Sequence, residues 1–355
     1  MTGVWEGSAA GRAQTLNDLG RATEALSVVS SGLAQDPRDV DLLVQGAVAL
    51  VQLDRDDEAV RYCLAAAATD PDSAVVQKVL SVALRGAGDK VGAYYAAVRG
   101  TQLAPHDPGA HIQVAHAASD LRDRHNGRTA AEYALRLAPS SPAAHLAMTA
   151  ALFPPGSPPP KETLREAEEH ARTALELRPD DHVALNELAR IQMARGRLVS
   201  AAGHLSTSVR AAPFETVMQR NMDLVLSGLI ARFHWVLFIV WIVGTQVVGA
   251  SRGQPPRWLL VLLGVVGAVA LGFIVWQLQS KVPADMRWGF LRGFARRQRL
   301  AAAWGVCLLL TCLLFLAAAV SPAPVALTLF FVGGAPLFVG AVLSWIRFFR
   351  DRRAS

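Results

Sequence analysis

A helical pattern of hydrophobic and polar positions runs through the first two hundred residues, and prolines interrupt it at regular intervals. A proline inside a helix costs about 3 kcal/mol, so each one marks a place where a helix ends. The first four prolines of this series are 34 residues apart, the fifth follows after 40 and the sixth after another 34: Pro37, Pro71, Pro105, Pro139, Pro179 and Pro213. A fixed period in this range is typical of a stacked-repeat architecture.

Small residues recur at fixed distances before these prolines, where two helices would have to approach closely. Twelve residues before each proline stand Ala25, Ala59, Ala93, Gly127, Ala167 and Ala201. Turn signals divide several repeats into two halves, at Gly20, Asp54-Arg55, Gly88 and Gly196. Asp107-Pro108 and Ser141-Pro142 each offer an N-cap followed by a proline at the first helical position. Each repeat is therefore predicted to be a pair of helices.

This pattern resembles the tetratricopeptide repeat, a 34-residue helix–turn–helix unit that stacks into a right-handed superhelix. The proline and small-residue positions match over roughly residues 3–213, but the large aromatic positions do not. Tryptophan is replaced by Leu43, Gln77, His111 and Leu185, and phenylalanine by Val29, Cys63, Ala97 and Ala131. The resemblance implies an all-α solenoid of about six alanine-rich repeats. The proline-rich segment 153–162 is predicted to be a loop between the two helices of the fifth repeat.

Four apolar runs follow the repeats, at about 233–250, 258–278, 302–320 and 325–346. Each is about as long as the ~20 residues that cross a bilayer, and none has an Asp, Glu, Lys or Arg in its interior. The predicted fold is a tetratricopeptide-type solenoid followed by a four-helix transmembrane domain, as in a bacterial-type repeat protein with a multi-pass membrane region. Pro336 is predicted to kink the fourth helix. The predicted domains are residues 1–213 (solenoid), 214–228 (capping or linker helix) and 229–355 (membrane domain).

Charge divides the chain in the same place and predicts its orientation. Residues 1–213 carry 21 Lys and Arg against 25 Asp and Glu, whereas residues 214–355 carry 14 against 4. Most of the latter basic residues lie in the 279–301 connection and in the C-terminal tail. Because positive loops stay in the cytoplasm, both termini and the solenoid are predicted to be cytoplasmic, in an integral protein of the inner membrane. The N-terminal sequence also lacks the features of a signal peptide.

Motifs for catalysis or cofactor binding are missing from the sequence, so no enzyme activity, metal or cofactor is predicted. There is no H-E-x-x-H, phosphate-binding glycine loop or nucleophile elbow. No basic stripe with interleaved aromatic residues occurs in the repeats, which argues against nucleic-acid binding. Cys63, Cys307 and Cys312 form no disulfide framework and are interpreted as core or lipid-facing residues.

The candidate site is the concave face that, by the resemblance, the first helix of each repeat lines. It is predicted to be an apolar groove with a few basic groups, suited to an amphipathic or acidic segment of a partner protein. Packing between repeats is the alternative role for its valines. The predicted groove residues are Val44, Val48, Val51, Lys78, Val82, Arg85, Ile112, His116, Leu146, Asn186 and Arg190.

A second candidate surface is the basic stretch 285–299, which is predicted to lie on the membrane and contact lipid, or to act only as a topology determinant. Its predicted basic residues are Arg287, Arg292, Arg296, Arg297 and Arg299. Together these features predict a membrane-anchored scaffold that binds other proteins through its repeats. The alternative is an accessory or regulatory subunit of a membrane enzyme or transporter. The sequence does not determine the partner or the oligomeric state.

Overall fold

The computed structural model describes residues 8–156, 159–211, 216–250 and 284–353, with scattered positions between 258 and 276. All regular structure in these residues is helical, as predicted. The chain divides into two compact units within one helix, one unit ending at Glu187 and the other beginning at Leu188. The helices up to this division are α1 (Ala9–Asp18), α2 (Ala22–Leu33), α3 (Val40–Gln52), α4 (Asp56–Thr69), α5 (Ala74–Gly86), α6 (Lys90–Leu103), α7 (Pro108–Asp120), α8 (Arg124–Leu137), α9 (Pro142–Leu152), α10 (Lys161–Leu177) and α11 (His182–Ala194).

A capping side chain begins the first helix of each repeat. The Asp39 carboxylate accepts a hydrogen bond from the Leu42 N–H at 2.9 Å, and Asp107 accepts one from Gly109 at 2.8 Å. Each capping residue lies two positions after a repeat proline, so one helix ends and the next begins within a few residues. The capping residues are Asp39, Ser73, Asp107, Ser141 and Asp181. Pro108 and Pro142 occupy the predicted N-terminal positions, where a missing N–H leaves no helical bond unmade.

Alanine and other small side chains form the contacts between helices in the first unit. Within each repeat the two helices pack together, and each first helix from α1 to α7 also contacts the first helix of the following repeat. Ala47, Ala59 and Ala93 are completely buried, as are Cys63 and Ala97 at the positions where the family has phenylalanine. Burial raises the pKa of the Cys63 thiol to about 12, which keeps it in its neutral form as a core residue. Small residues shorten the distance between helices and so remove the need for large aromatic fillers.

The proline-rich segment of the fifth repeat is a connection, as predicted. Helix α9 ends at Leu152, and α10 begins at Lys161 after Pro160. The loop therefore separates two helices of one repeat and leaves α10 a regular helix of 17 residues. Residues 157 and 158 of this loop lie outside the described residues.

Beyond α11, the second unit contains α12 (Leu198–Ala211), α13 (Thr216–Ala250), α14 (Ala284–Arg297), α15 (Arg299–Val320), α16 (Ala323–Val332) and α17 (Ala335–Arg353). Three helical stretches among the described residues are long and apolar enough to cross a membrane: Gln219–Val248, Arg299–Ala318 and Val325–Ile346. Four had been predicted from the sequence. Most of the predicted second span, residues 258–278, lies outside the described residues.

Helix α13 joins the predicted capping segment and the first predicted span into one helix of 35 residues. Near its start, Met222, Val225 and Leu229 pack with Ala201 and Leu205 of α12 in a buried cluster. Ser227 and Gly228 do not interrupt the helix. A side chain at Gly228 would collide with Leu198, so this glycine allows close packing of α13 on α12.

The last apolar stretch is two helices, not the single kinked helix predicted at Pro336. Helix α16 ends at Val332, and α17 begins at Ala335, so Pro336 lies at a helix start where it breaks no hydrogen bond. The two residues between them are glycines that approach aromatic rings closely. A side chain on Gly333 would meet Phe315 of α15, and one on Gly334 would meet Trp241 of α13.

Candidate partner-binding groove

The predicted groove residues lie on the first helices of consecutive repeats, at equivalent positions that are 34 residues apart, or 40 across the fifth repeat. Val44, Val48 and Val51 belong to α3, and the corresponding residues of α5 are Lys78, Val82 and Arg85. Residues four and seven positions apart share one face of a helix. Because α3, α5, α7 and α9 contact one another in order, their shared faces form one continuous surface. The remaining predicted residues are on α7 (Ile112 and His116), α9 (Leu146) and α11 (Asn186 and Arg190).

Burial separates this set into two groups. Val44, Ile112, Leu146 and Asn186 are buried, and Val44 packs with neighbouring apolar residues in a core cluster. Val48, Val51, Val82, His116 and Arg190 are half-buried, as are Lys78 and Arg85. The buried members hold the repeats together, and the half-buried members form the surface available to a partner.

Two ion pairs cross this surface and were not predicted from the sequence. The Lys78 ammonium lies 2.6 Å from the Asp107 carboxylate, and the Arg85 guanidinium lies 2.6 Å from the Asp120 carboxylate. Both pairs join α5 to α7. The predicted basic groups of the groove therefore already have acidic partners within the protein, and the expectation that they attract an acidic segment loses its basis.

Asp107 has two roles in this arrangement. Its carboxylate caps α7 through the Gly109 N–H and accepts a hydrogen bond from Lys78 at 2.6 Å. Partial burial opposes its ionisation, but these hydrogen bonds and the Lys78 charge together lower its pKa below the usual range. The carboxylate is consequently ionised at neutral pH and keeps the pair intact.

His116 lies beside the second ion pair. Burial and, to a lesser extent, the Arg85 charge lower its pKa to about 4, while the Asp120 charge acts in the opposite direction. The imidazole is therefore neutral at pH 7. With its charges paired and its histidine neutral, the groove between α5 and α7 has little net charge.

Side-chain hydrogen bonds to backbone carbonyls join other first helices. The Asn17 amide of α1 donates to the Gln45 carbonyl of α3 at 2.9 Å, and Gln52 donates back to the Asn17 carbonyl at 3.1 Å. Ser119 of α7 donates to the Ala150 carbonyl of α9 at 2.7 Å. These bonds fix the positions of neighbouring helices before a partner arrives, which lowers the entropy cost of binding.

The two histidines of α7 face different neighbours. His111 contacts the Pro105 carbonyl at 2.9 Å and stacks on Tyr133, with ring centroids 5.4 Å apart. His145, one repeat later, makes the equivalent contact with the Pro139 carbonyl at 3.1 Å. His111 thus supports the junction between repeats, and only His116 belongs to the groove.

The predicted basic surface occupies α14 and the start of α15. Arg292, Arg296 and Arg299 are exposed, as a lipid-contacting role requires. Arg297 instead donates two hydrogen bonds to the Asp223 carboxylate of α13, at 2.9 and 2.8 Å. This ion pair gives Arg297 a structural role, and its side chain is still 38% exposed. The side chain of Arg287 lies outside the described residues.

Several solved structures are similar to this chain. A thermophilic tetratricopeptide repeat protein from Thermus thermophilus is 23% identical, with 53% of this chain and 97% of that chain covered and a TM-score of 0.44. PilF of Pseudomonas aeruginosa is 17% identical. The match covers 60% of this chain and 94% of that chain, with a TM-score of 0.44. A chain of the Cut9–Hcn1 hetero-tetramer of the APC/C is 14% identical. The match covers 94% of this chain and 57% of that chain, with a TM-score of 0.51.

A search of curated proteins gave no match. Two models of the tetratricopeptide repeat match the sequence, one at residues 16–82 and the other at residues 163–216. The matched segments contain the helix pairs, capped starts and small-residue contacts described above. Such repeats indicate a protein-interaction scaffold. The chain therefore contains tetratricopeptide repeats in these two segments.

Proposed function

We propose that the protein is a membrane-anchored scaffold, whose cytoplasmic repeats hold segments of partner proteins in the groove on the first helices. The observation that carries the proposal is the continuity of α13, which packs on α12 at its start and continues as an apolar stretch that could cross a membrane. One helix would thus connect the interaction domain to its anchor. The arginine-rich connection and tail support a cytoplasmic location for both termini.

The groove chemistry favours a partner segment with an apolar face. Val48, Val51 and Val82 present half-buried side chains, and the neighbouring charges are paired with each other. Burial of apolar surface would therefore supply most of the affinity. Because few unpaired charges line this surface, capture should depend only weakly on salt.

Val48→Asp and Val82→Asp test this proposal in the full-length protein. Both valines are half-buried, so the new carboxylates can stay hydrated and the fold should be retained. We expect loss of the partners that crosslink to the unchanged protein in native membranes, measured by mass spectrometry. Circular dichroism should show unchanged helix content.

Val91→Asp is the matched control, because Val91 lies on the second helix of the same repeat as Val82, is 55% exposed and is outside the groove. It should leave partner capture unchanged. Unfolding of the two groove variants would assign the valines to the core between repeats. Unchanged capture with a retained fold would contradict the proposed groove.

A further inference from the structure

We infer that the exposed arginine face of α14 and the start of α15 binds the headgroups of anionic phospholipids. Arg292 and Arg296 form this face together with Arg299. The inference rests on the proposed membrane anchoring and specifies the lipid class that the anchor recognises.

Helix α14 has one face fixed against its own compact unit. Phe294 is only 5% exposed, and Arg297 bonds through two nitrogens to Asp223 of α13. These two residues are three positions apart and therefore lie on the same side of the helix. An apolar contact and a charged contact thus determine together which way the helix faces.

The Asp223 carboxylate is well shielded from water, whereas the Arg297 side chain is 38% exposed. The Asp223 side chain is almost completely buried, and its hydrogen bonds to Arg297 raise the pKa of that guanidinium. An ionised pair in such a place is costly to break, because separation leaves a buried charge without a partner. The pair therefore holds the opposite face of α14 outward.

Arg292 and Arg296 occupy this outward face, one helical turn apart. Leu291 is three positions before Phe294 and so lies toward the packed side of the helix, but half of its side chain is exposed. Arginine beside an exposed leucine is typical of helices that lie in the membrane interface. Arginine also donates several hydrogen bonds in a planar arrangement that suits phosphate oxygens.

The connection to α15 sets the depth of this face. Helix α14 ends at Arg297 and α15 begins at Arg299, with only Gln298 between them. The apolar stretch of α15 begins immediately after Arg299. Arg296 is three residues before Arg299, at most about 10 Å along the chain, so these two arginines would lie near the headgroup layer that borders the hydrocarbon core.

Charge identifies the occupant. The second part of the chain, residues 214–355, has 14 basic residues against 4 acidic ones, and the buried carboxylate of Asp223 is already paired. Anionic phospholipid is the negative partner available at this depth, and each arginine near it contributes about a fivefold gain in affinity.

The test compares the full-length protein in a neutral detergent with a variant carrying Arg292→Gln, Arg296→Gln and Arg299→Gln. Phosphatidylglycerol or phosphatidylcholine with the same acyl chains is titrated into the micelles, and the thermal midpoint is recorded. We expect phosphatidylglycerol to raise the midpoint of the unchanged protein selectively. The triple variant should need about a hundredfold more of it, since three arginines are lost.

The control variant carries Arg38→Gln, Arg61→Gln and Arg165→Gln, which remove three exposed arginines from the repeats. It should respond to phosphatidylglycerol like the unchanged protein. An equal response of the triple variant and the unchanged protein would overturn the inference. Stabilisation by polyglutamate but not by phosphatidylglycerol would also overturn it and would assign the face to an acidic protein segment.

Extraction with alkaline carbonate separates this inference from the proposed function. Release of the chain from membranes would contradict the anchoring itself. A chain that stays in the membrane but is indifferent to phosphatidylglycerol would contradict only the lipid inference.

Discussion

One residue in each repeat turns the chain from the first helix to the second with a positive φ angle. Four of these residues are glycines, which adopt this conformation without steric cost. At Asp54 and Arg122, with φ of 55° and 61°, a side chain is present, and the left-handed conformation costs about 1 kcal/mol or more. The six positions are Gly20, Asp54, Gly88, Arg122, Gly156 and Gly196.

Arg122→Gly and Asp54→Gly should therefore stabilise the protein. We expect a gain of about 0.5–1 kcal/mol each, which is the relief of the left-handed strain less the greater flexibility of glycine in the unfolded chain. The measurement is the thermal midpoint of each variant. Gly88→Ala is the reverse control: Gly88 has a φ of 89° and no neighbour that a methyl group would touch, so only backbone strain should lower its midpoint.

His116 predicts how stability changes with pH. Its folded pKa of about 4 lies below the usual value of about 6.5 that applies in the unfolded chain. Between these values the unfolded state binds a proton that the folded state does not, so stability falls as pH drops from about 6.5 to 4. The loss should be on the order of 1–3 kcal/mol, because His116 is only half-buried.

His116→Gln should reduce this loss, since glutamine does not titrate. Denaturant midpoints at pH 7 and pH 5 measure the effect. His106→Gln, which removes a histidine from an exposed position outside the groove, is the control for the change in histidine content. If the unchanged protein and the His116 variant lose equal stability between these pH values, the lowered pKa of His116 is excluded as the cause of the pH dependence.

At the scale of the element, α13 is expected to stabilise the last repeat. A fragment that ends at Ala211 lacks Met222, Val225 and Leu229, which cover Leu205 in the buried cluster. A fragment that ends at Arg232 keeps them. Burial of three such side chains contributes on the order of 5 kcal/mol, so the shorter fragment should have a clearly lower thermal midpoint and aggregate more readily.

Leu229→Asp in the longer fragment provides the control for this comparison. A carboxylate in the cluster should reproduce much of the loss without shortening the chain. Equal midpoints for the two fragments would show that α13 does not stabilise the repeats.

The elements also show why some features could be predicted and others could not. Helix pairs and caps followed from proline spacing, because a proline acts on the chain beside it. The break between α16 and α17 did not, since Pro336 suits both a kink and a helix start. The helix break lies at Gly333 and Gly334, which approach Phe315 and Trp241 closely. These two rings belong to other helices, so the approach could not be predicted from the local sequence.

For the whole molecule, composition predicted the division into a mildly acidic repeat region and a basic apolar region. It did not predict the electrostatics of the groove. Lys78 and Arg85 pair with residues 29 and 35 positions further along, close to one repeat length, but only the packing of α5 on α7 brings the charges together. In repeat proteins, a charge should therefore be compared with positions about one repeat away before it is assigned to a partner.

The length of α13 has a mechanical consequence. Its 35 residues span about 52 Å, whereas the hydrocarbon core of a bilayer is about 30 Å thick. The remaining turns carry the contacts with α12, and no glycine or proline break separates the two portions. An uninterrupted helix of this kind passes a rotation at one end on to the other end. A neighbouring membrane protein or a change in bilayer thickness could rotate the apolar portion about the helix axis. This rotation would also turn Met222, Val225 and Leu229, on which the last repeat packs.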